Sequence, residues 1–232
     1  MNKKCNSVSA IIVAAGSGKR MMLDVKKQFI MLGKKPVLSY SLDVFAANER
    51  IKEIVLVVGR EDMEYARALI DGIKKKVKIV EGGSSRQESV FNGLCSVEDS
   101  IDLVVVHDGA RPFVRCVDLK CLLDAACKYG SATFGITPKD TIKVRNNFME
   151  IEETLDRSKL VIVQTPQAFV KEDLLKAHIM AKEDGYQGTD DTVLMERCGI
   201  RTKVVEGSNY NIKITTREDL IVADIIKEEL SF

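Results

Sequence analysis

The stretch Ala10-Ile11-Ile12-Val13-Ala14-Ala15-Gly16-Ser17-Gly18-Lys19-Arg20, continuing to Lys26-Lys27-Gln28-Phe29, decides how the chain is read. A short β-branched run ending in small residues is the pattern of a buried strand, and the glycines after it permit a turn whose N–H groups approach an anion closely. Arg20 and Lys27 add full positive charge beside those dipoles, a combination suited to polyphosphate. Two glycine motifs fail on this stretch. A Walker A loop would need glycine at Val13 and a hydroxyl residue at Arg20, and a dinucleotide fingerprint would need its third glycine at Met21. For the glycines taken alone, an ordinary strand-to-helix turn remains the alternative.

Working outward, the pattern predicts a helix over 36–47, with Pro36 suited to its first turn, and a strand over 54–58. It continues as a helix over 61–70, a strand over 77–80, a turn at Gly82-Gly83-Ser84-Ser85, a helix over 86–95 and a strand over 103–106, closed by His107-Asp108-Gly109-Ala110-Arg111-Pro112. This alternation predicts an α/β fold: a mostly parallel sheet with helices on both faces and ligands beyond the carboxyl ends of its strands. The rhythm falters over 138–160, where two extended segments flank Asn146-Asn147. That hairpin has little helix to cover it, so it is read as a projecting β-arm that buries its apolar side in a homodimer; a hairpin folded onto its own domain is the alternative. The rest predicts a strand over 160–163, a turn at 164–167, a helix over 171–183, a helix through Val193-Leu194-Met195 capped by Thr189, strands over 202–205 and 211–215, and a last helix from Arg217.

The 232 residues fit a single domain, and 35 basic against 34 acidic residues leave no net field to favour nucleic acid or an anionic membrane. No apolar run approaches a membrane span, and the N-terminal one is too short for a signal segment, so a cytoplasmic protein is expected. Six scattered cysteines without a C-x-x-C pair, and only His107 and His178 beside them, predict reduced and mostly buried thiols rather than a zinc site.

In an open parallel sheet the loops after the strands converge on one edge. That places Arg20, Lys27, Arg86, Ser89, Asp108, Arg111, Thr165, Thr189 and Lys213 around a cationic cleft with one carboxylate in it. Each also has a plainer reading on its own: Arg86 could stitch its own helix, Asp108 could cap a turn, and Lys213 could be an exposed strand lysine. His107 is read as a packed residue, since its side chain should point opposite to that of Asp108.

Several of these segments, in order along nearly the whole chain, closely resemble the 2-C-methyl-D-erythritol 4-phosphate cytidylyltransferase family. They are Ala14-Ala15-Gly16-Ser17-Gly18-Lys19-Arg20-Met21 with Lys27-Gln28-Phe29, Gly82-Gly83-Ser84-Ser85-Arg86-Gln87-Glu88-Ser89-Val90, and His107-Asp108-Gly109-Ala110-Arg111-Pro112. Asp140-Thr141, Asp156-Arg157, Thr165-Pro166-Gln167, Thr189-Asp190-Asp191, Glu206-Gly207 and Asn211-Ile212-Lys213 continue the match.

The resemblance implies a Rossmann-like nucleotidyltransferase fold, a homodimer with a projecting arm, and a magnesium-dependent reaction of CTP with 2-C-methyl-D-erythritol 4-phosphate in the non-mevalonate isoprenoid pathway. It implies that Ala14, Ala15, Gly16, Ser17, Gly18, Lys19, Gly82 and Gly83 hold the nucleotide and read cytosine, with Ser89 assisting. Arg20 and Lys27 would stabilise the transition state at the triphosphate. Arg157 and Lys213 would position the polyol phosphate, aided by Asp108, Arg111, Thr141, Thr165 and Thr189, and Asp108 is also the candidate for the metal. Arg157 and Thr141 lie in or beside the arm, so a partner chain could deliver them.

The family usually has proline before the residue numbered Lys27 here, whereas this chain has Lys26. Without the stiffening ring, a loop that orders only when CTP arrives is expected. Two rivals stand beside this reading: a cytidylyltransferase for another polyol phosphate such as ribitol 5-phosphate, and a non-catalytic nucleotide-binding module. Cations facing both phosphates speak against the second.

Overall fold

The computed structural model describes residues 7–16 and 25–230. Ser17, Gly18, Lys19 and Arg20, four of the site residues expected from the sequence, lie outside the described residues. In chain order the elements are β1 (Val8–Ala14), β2 (Met31–Leu32), β3 (Lys35–Pro36), α1 (Val37–Ala47), β4 (Ile51–Val58), α2 (Met63–Leu69), β5 (Lys76–Glu81), α3 (Arg86–Cys95) and β6 (Leu103–Asp108). They continue as α4 (Cys116–Tyr129), β7 (Ser131–Ile136), β8 (Lys143–Arg145), β9 (Ile151–Thr154), β10 (Ile162–Val170), α5 (Lys171–Glu183), α6 (Asp191–Arg197), β11 (Lys203–Glu206) and α7 (Arg217–Glu229).

Seven of these strands form one sheet in the order β11-β7-β10-β6-β1-β4-β5. β6, β1, β4 and β5 run parallel, β11 runs parallel to β7, and β10 is antiparallel to both of its neighbours. The continuous apolar character of the central strands follows from burial on both faces. Ile12, Ile54, Leu56 and Val105 pack with Phe45 of α1 and Leu122 of α4, while Ile11, Val55, Val57 and Val106 pack with Val90 of α3 and Leu174 of α5. Each such side chain contributes about 1.5–3 kcal/mol on burial. The rigid part of the molecule is therefore the middle of the sheet, and the polar loops at its carboxyl edge are held by it. A third, smaller cluster joins Leu32, Tyr40 and Phe113 to Ile214, Ala223 and Ile226, docking α7 beside the loop before it.

The alternation and the hairpin expected from the sequence are present: β8 and β9 pair antiparallel as a separate two-stranded sheet. Four expectations are corrected. The turn expected at 164–167 lies inside β10, whose pairing with β7 skips from Gln164 to Gln167, around Pro166, which has no N–H to give the ladder. The segment 211–215 is not a strand but an irregular loop tied back by single hydrogen bonds, among them Ile214 N–H to the Ala110 carbonyl at 2.9 Å. Asp190, not Thr189, caps α6, its carboxylate accepting from Val193 N–H at 3.1 Å. Cys95, Cys116 and Cys121 are exposed rather than buried. Four elements, the short strands β2 and β3 together with α4 and β7, go beyond those expected from the sequence. None of the described helices is long and apolar enough to cross a membrane.

Candidate active site

β1, β5 and β6 deliver the site because they run in the same direction and end at one edge. β1 ends in Ala14, and the chain continues to Ala15 and Gly16; β5 leads into Gly82 and Gly83, and β6 ends in Asp108. Gly82 lies so close to Ala15 that a Cβ there would overlap the Ala15 Cβ, which is why the two loops can share one wall. The turn into α3 is shaped by its own polar side chains. Ser85 caps the helix by accepting from Glu88 N–H at 3.0 Å, and Ser89 Oγ accepts from Gly83 N–H at 3.1 Å while donating to the Ser85 carbonyl at 2.8 Å.

The segment before α1 closes the other side. Gln28 is buried and its amide donates to the carbonyls of Ala14 at 2.7 Å and Gly16 at 3.2 Å, so Lys27 is carried next to the end of β1. Ahead of it, the Lys26 ammonium pairs with Asp62 at 2.7 Å and also with Glu61.

These walls enclose a cavity of about 380 Å³ lined by Ala14, Ala15, Gly16, Lys27, Gly83, Ser89, Arg86, Asp108 and Lys213 among others. A second cavity of about 450 Å³ lies beside it, with Arg111, Thr165, Thr189 and Gln167 on its walls. Arg86, Asp108 and Lys213 line both, so the two spaces meet at that trio. Each volume falls in the range of small-molecule sites.

Asp108 is the electrostatic centre. Its carboxylate takes Lys213 Nζ at 2.7 Å and Arg86 Nε at 3.1 Å, with Arg111 Nε at 3.9 Å. Burial opposes its charge, but the Arg86, Lys213 and Arg111 cations outweigh burial and hold the carboxyl well below the usual carboxylate range. Its backbone N–H donates to Thr165 Oγ1 at 3.0 Å, so β10 fixes the end of β6. The loop carrying Lys213 is tied to the same place: Arg111 Nη1 donates to the Asn211 carbonyl at 2.7 Å, and Asn211 Nδ2 to the Thr165 carbonyl at 2.8 Å.

Arg86 extends the network inward, donating through Nη1 to Asp191 at 2.8 Å, whose other oxygen lies 3.0 Å from His178 Nε2. Arg86 Nη2 is buried without a hydrogen-bond partner in the protein, while about 26% of the side chain remains open to the cavities. Gln167 Nε2 donates to Asp190 at 2.8 Å, which holds the Thr189-Asp190-Asp191 turn against β10. Asp191, Gln167 and Gln28 are the supporting residues that the reading by residue type passed over; the signal available was a polar residue inside an otherwise apolar strand or directly beside a glycine turn.

Among the expected site residues, Lys27, Lys213, Asp108, Arg111, Thr165, Thr189, Ser89, Gly83 and Ala14–Gly16 come together on these two cavities, and Gly82 stands directly behind them. Arg157 and Thr141 do not. Both are exposed, and Arg157 Nη1 donates to the Lys139 carbonyl at 2.7 Å at the base of the hairpin.

His107 faces away from Asp108 into the opposite layer, against Phe45, as the alternation of a strand requires. The carbonyl of Arg111, 3.1 Å from Nε2, can only accept, so Nε2 carries the proton and Nδ1 accepts from Thr165 Oγ1 at 3.3 Å. Burial drives its pKa from 6.5 down to about 4. The unfolded chain thus binds a proton near pH 6.5 that the folded chain refuses until about pH 4. Stability is therefore complete above about pH 6.5 and declines as pH falls, by roughly 3 kcal/mol over that window. Thermal unfolding of the metal-free protein at pH 7.5, 6 and 5 should show this decline, and His107→Gln should flatten it; an equal slope in the variant would contradict the assignment.

The comparisons agree with this geometry. The family model for 2-C-methyl-D-erythritol 4-phosphate cytidylyltransferase matches residues 8–229. The enzyme of that name from Caldanaerobacter subterraneus subsp. tengcongensis is 46% identical over 222 residues, covering 94% of this chain and 98% of that one. The one from Geobacillus thermodenitrificans is 47% identical over 219 residues, covering 94% and 95%. Among solved structures, the 4-diphosphocytidyl-2C-methyl-D-erythritol synthase of Anaerococcus prevotii superposes with a TM-score of 0.88 at 32% identity over 96% of both chains. The Francisella tularensis cytidylyltransferase gives 0.81 at 27% identity, over 95% of this chain and 99% of that one. With motif order, fold and paired cavities in agreement, the chain belongs to the 2-C-methyl-D-erythritol 4-phosphate cytidylyltransferase family, the nucleotidyltransferases of the non-mevalonate isoprenoid pathway.

Proposed function

We propose that CTP occupies the cavity at Ala14–Gly16 and Gly83, that 2-C-methyl-D-erythritol 4-phosphate occupies the one at Arg111, Thr165 and Thr189, and that the two react across Arg86, Asp108 and Lys213. The observation that carries this is the shared trio, because two polyanions can approach only where cations face both. A phosphate monoester oxygen attacks the α-phosphorus of CTP, the new P–O bond forms, and the bond to pyrophosphate breaks. The monoester's second pKa is about 6, so the nucleophile is ionised at neutral pH and no general base is needed. What the protein supplies is alignment and charge. Lys27 neutralises charge gathering on the triphosphate, and Lys213, oriented by Asp108, holds the incoming phosphate. Arg20 is assigned to the triphosphate from the sequence.

Magnesium fits the residues present in a limited way. Asp108 is the one carboxylate among the described residues lining the nucleotide cavity, and no group of three or more metal-ligating side chains occurs among the described residues. A carboxylate offers about four lone-pair positions. Lys213 and Arg86 each take one, so Asp108 keeps capacity for an ion held otherwise by substrate phosphates and water, the usual habit of Mg²⁺. When bound, the ion supplies further neutralisation of phosphate charge.

The arm is assigned to a homodimer. Phe148 is 85%, Met149 71% and Ile151 66% exposed, and an apolar hairpin of this kind is costly to leave in water. Its burial against a second copy would bring Arg157 and Thr141 towards the polyol-phosphate cavity of the partner. The test is a pyrophosphate-release assay with CTP and Mg²⁺. Release with 2-C-methyl-D-erythritol 4-phosphate at a kcat/KM at least about tenfold above that with ribitol 5-phosphate is expected, from phosphate-anchored positioning. Preference for ribitol 5-phosphate would overturn the substrate, and no release with either would overturn the reaction.

A further inference from the structure

Three side chains flanking Lys27, those of Lys26, Gln28 and Phe29, are each tied to a different part of the fold. Gln28 clamps the carbonyls that follow β1, and Phe29 packs edge-to-face on Tyr65 of α2 with ring centroids 4.7 Å apart. Lys26, on the other side, reaches the first turn after β4, where Asp62 N–H donates to the Gly59 carbonyl at 2.9 Å. Its ammonium lies 2.7 Å from Asp62 and also pairs with Glu61; the side chains of Lys26 and Asp62 are only 20% and 12% exposed. Burial opposes the Lys26 charge, but the hydrogen bonds and proximity of Asp62 and Glu61 outweigh it and raise its pKa. The Lys26 carbonyl in turn accepts from Phe29 N–H at 2.8 Å, closing the tight turn Lys27–Phe29 from which Lys27 enters the nucleotide cavity.

We propose that Lys26 is a positioning residue for the cytidylyl transfer: its ion pair with Asp62 and Glu61 fixes the N-terminal end of the turn that aims Lys27 at the triphosphate. The tether rests on the assignment of Lys27 given above. It works by geometry, holding a cation in place before the nucleotide arrives, and a displacement of about 1 Å at such a group can cost on the order of a hundredfold in rate.

The backbone of Lys26, at φ −64° and ψ 139°, is one that proline adopts without strain, and this supplies a discriminating variant. Lys26→Met and Lys26→Pro both remove the charge and both leave Asp62 without its ammonium, but only proline restores stiffness at the head of the turn. The expected results, at saturating CTP, are a fall in kcat of about tenfold or more for Lys26→Met with KM for the polyol phosphate little changed, and recovery of most of that loss in Lys26→Pro. In a Lys27→Ala background, Lys26→Met should cost nothing further. With Lys27→Ala impaired, a Lys26→Met enzyme as fast as the wild type would overturn the tether alone. So would equal losses in the Met and Pro variants, which would trace the defect to the unpaired Asp62, or a full further loss in the Lys27→Ala background. A fully active Lys27→Ala enzyme would instead defeat the role of Lys27 itself, and the tether with it.

Discussion

Arg86→Met is expected to destabilise the protein by about 3–5 kcal/mol, lowering its Tm on the order of 10 °C, and to abolish most of its turnover. Among the described residues, Arg86 is the cation that bridges Asp108, at the end of β6, and Asp191, at the start of α6. Methionine fills much of the same volume but takes the guanidinium away from Asp191, whose carboxylate then keeps the His178 imidazole as its side-chain partner among the described residues, and removes one of the three cations around Asp108. The cost comes from stranding buried carboxylates. It follows that Arg86→Met combined with Asp191→Asn should recover part of the lost stability, since one of the stranded charges is then gone. Differential scanning calorimetry on the two variants checks this. An unchanged Tm in Arg86→Met would mean that the network carries no stability.

Lys27→Ala should lower kcat by about 10²–10³, equivalent to about 2.7–4 kcal/mol of barrier, while KM for CTP changes little. Gln28 holds this segment against Ala14 and Gly16, so in the proposed complex the lysine is preset beside the triphosphate and its charge would act as negative charge shifts onto the leaving pyrophosphate. Interactions that strengthen only in the transition state appear in kcat and not in ground-state binding. Steady-state pyrophosphate release at varied CTP separates the two parameters. Turnover within about twofold of the wild type would withdraw the transition-state role from Lys27.

Much of this was legible in the residues. The apolar runs of β1, β4 and β6 are buried on both faces, so they read as continuous blocks, and the glycines after β1 and β5 mark where backbone lines the cavity. Hidden features depended on long-range placement. β10 looked like a strand ending in a turn because Pro166 interrupts its pattern, yet its neighbours Thr133 and Val106 keep Gln167 in the sheet. α4 carries buried Leu119, Leu122 and Leu123 at helical spacing, but the polar residues and cysteines among them, together with the Pro112 loop before it, obscured the period. At the site, cations could be named from their types, whereas the bond from Arg86 to Asp191 spans 105 residues and leaves no local trace. Arg157 shows the limit from the other side: its residue type is plain in the sequence, but within this chain it is exposed at the base of the hairpin, away from both cavities.

The central claim is that two polyanions meet at Arg86, Asp108 and Lys213. The most direct measurement is a crystal structure of the protein with a non-hydrolysable CTP analogue and 2-C-methyl-D-erythritol 4-phosphate. The polyol phosphate oxygen should lie about 3–3.5 Å from the α-phosphorus, in line with the leaving pyrophosphate and beside Lys213. Finding either molecule outside the two cavities, or the pair separated by the side chains of that trio, would contradict the account.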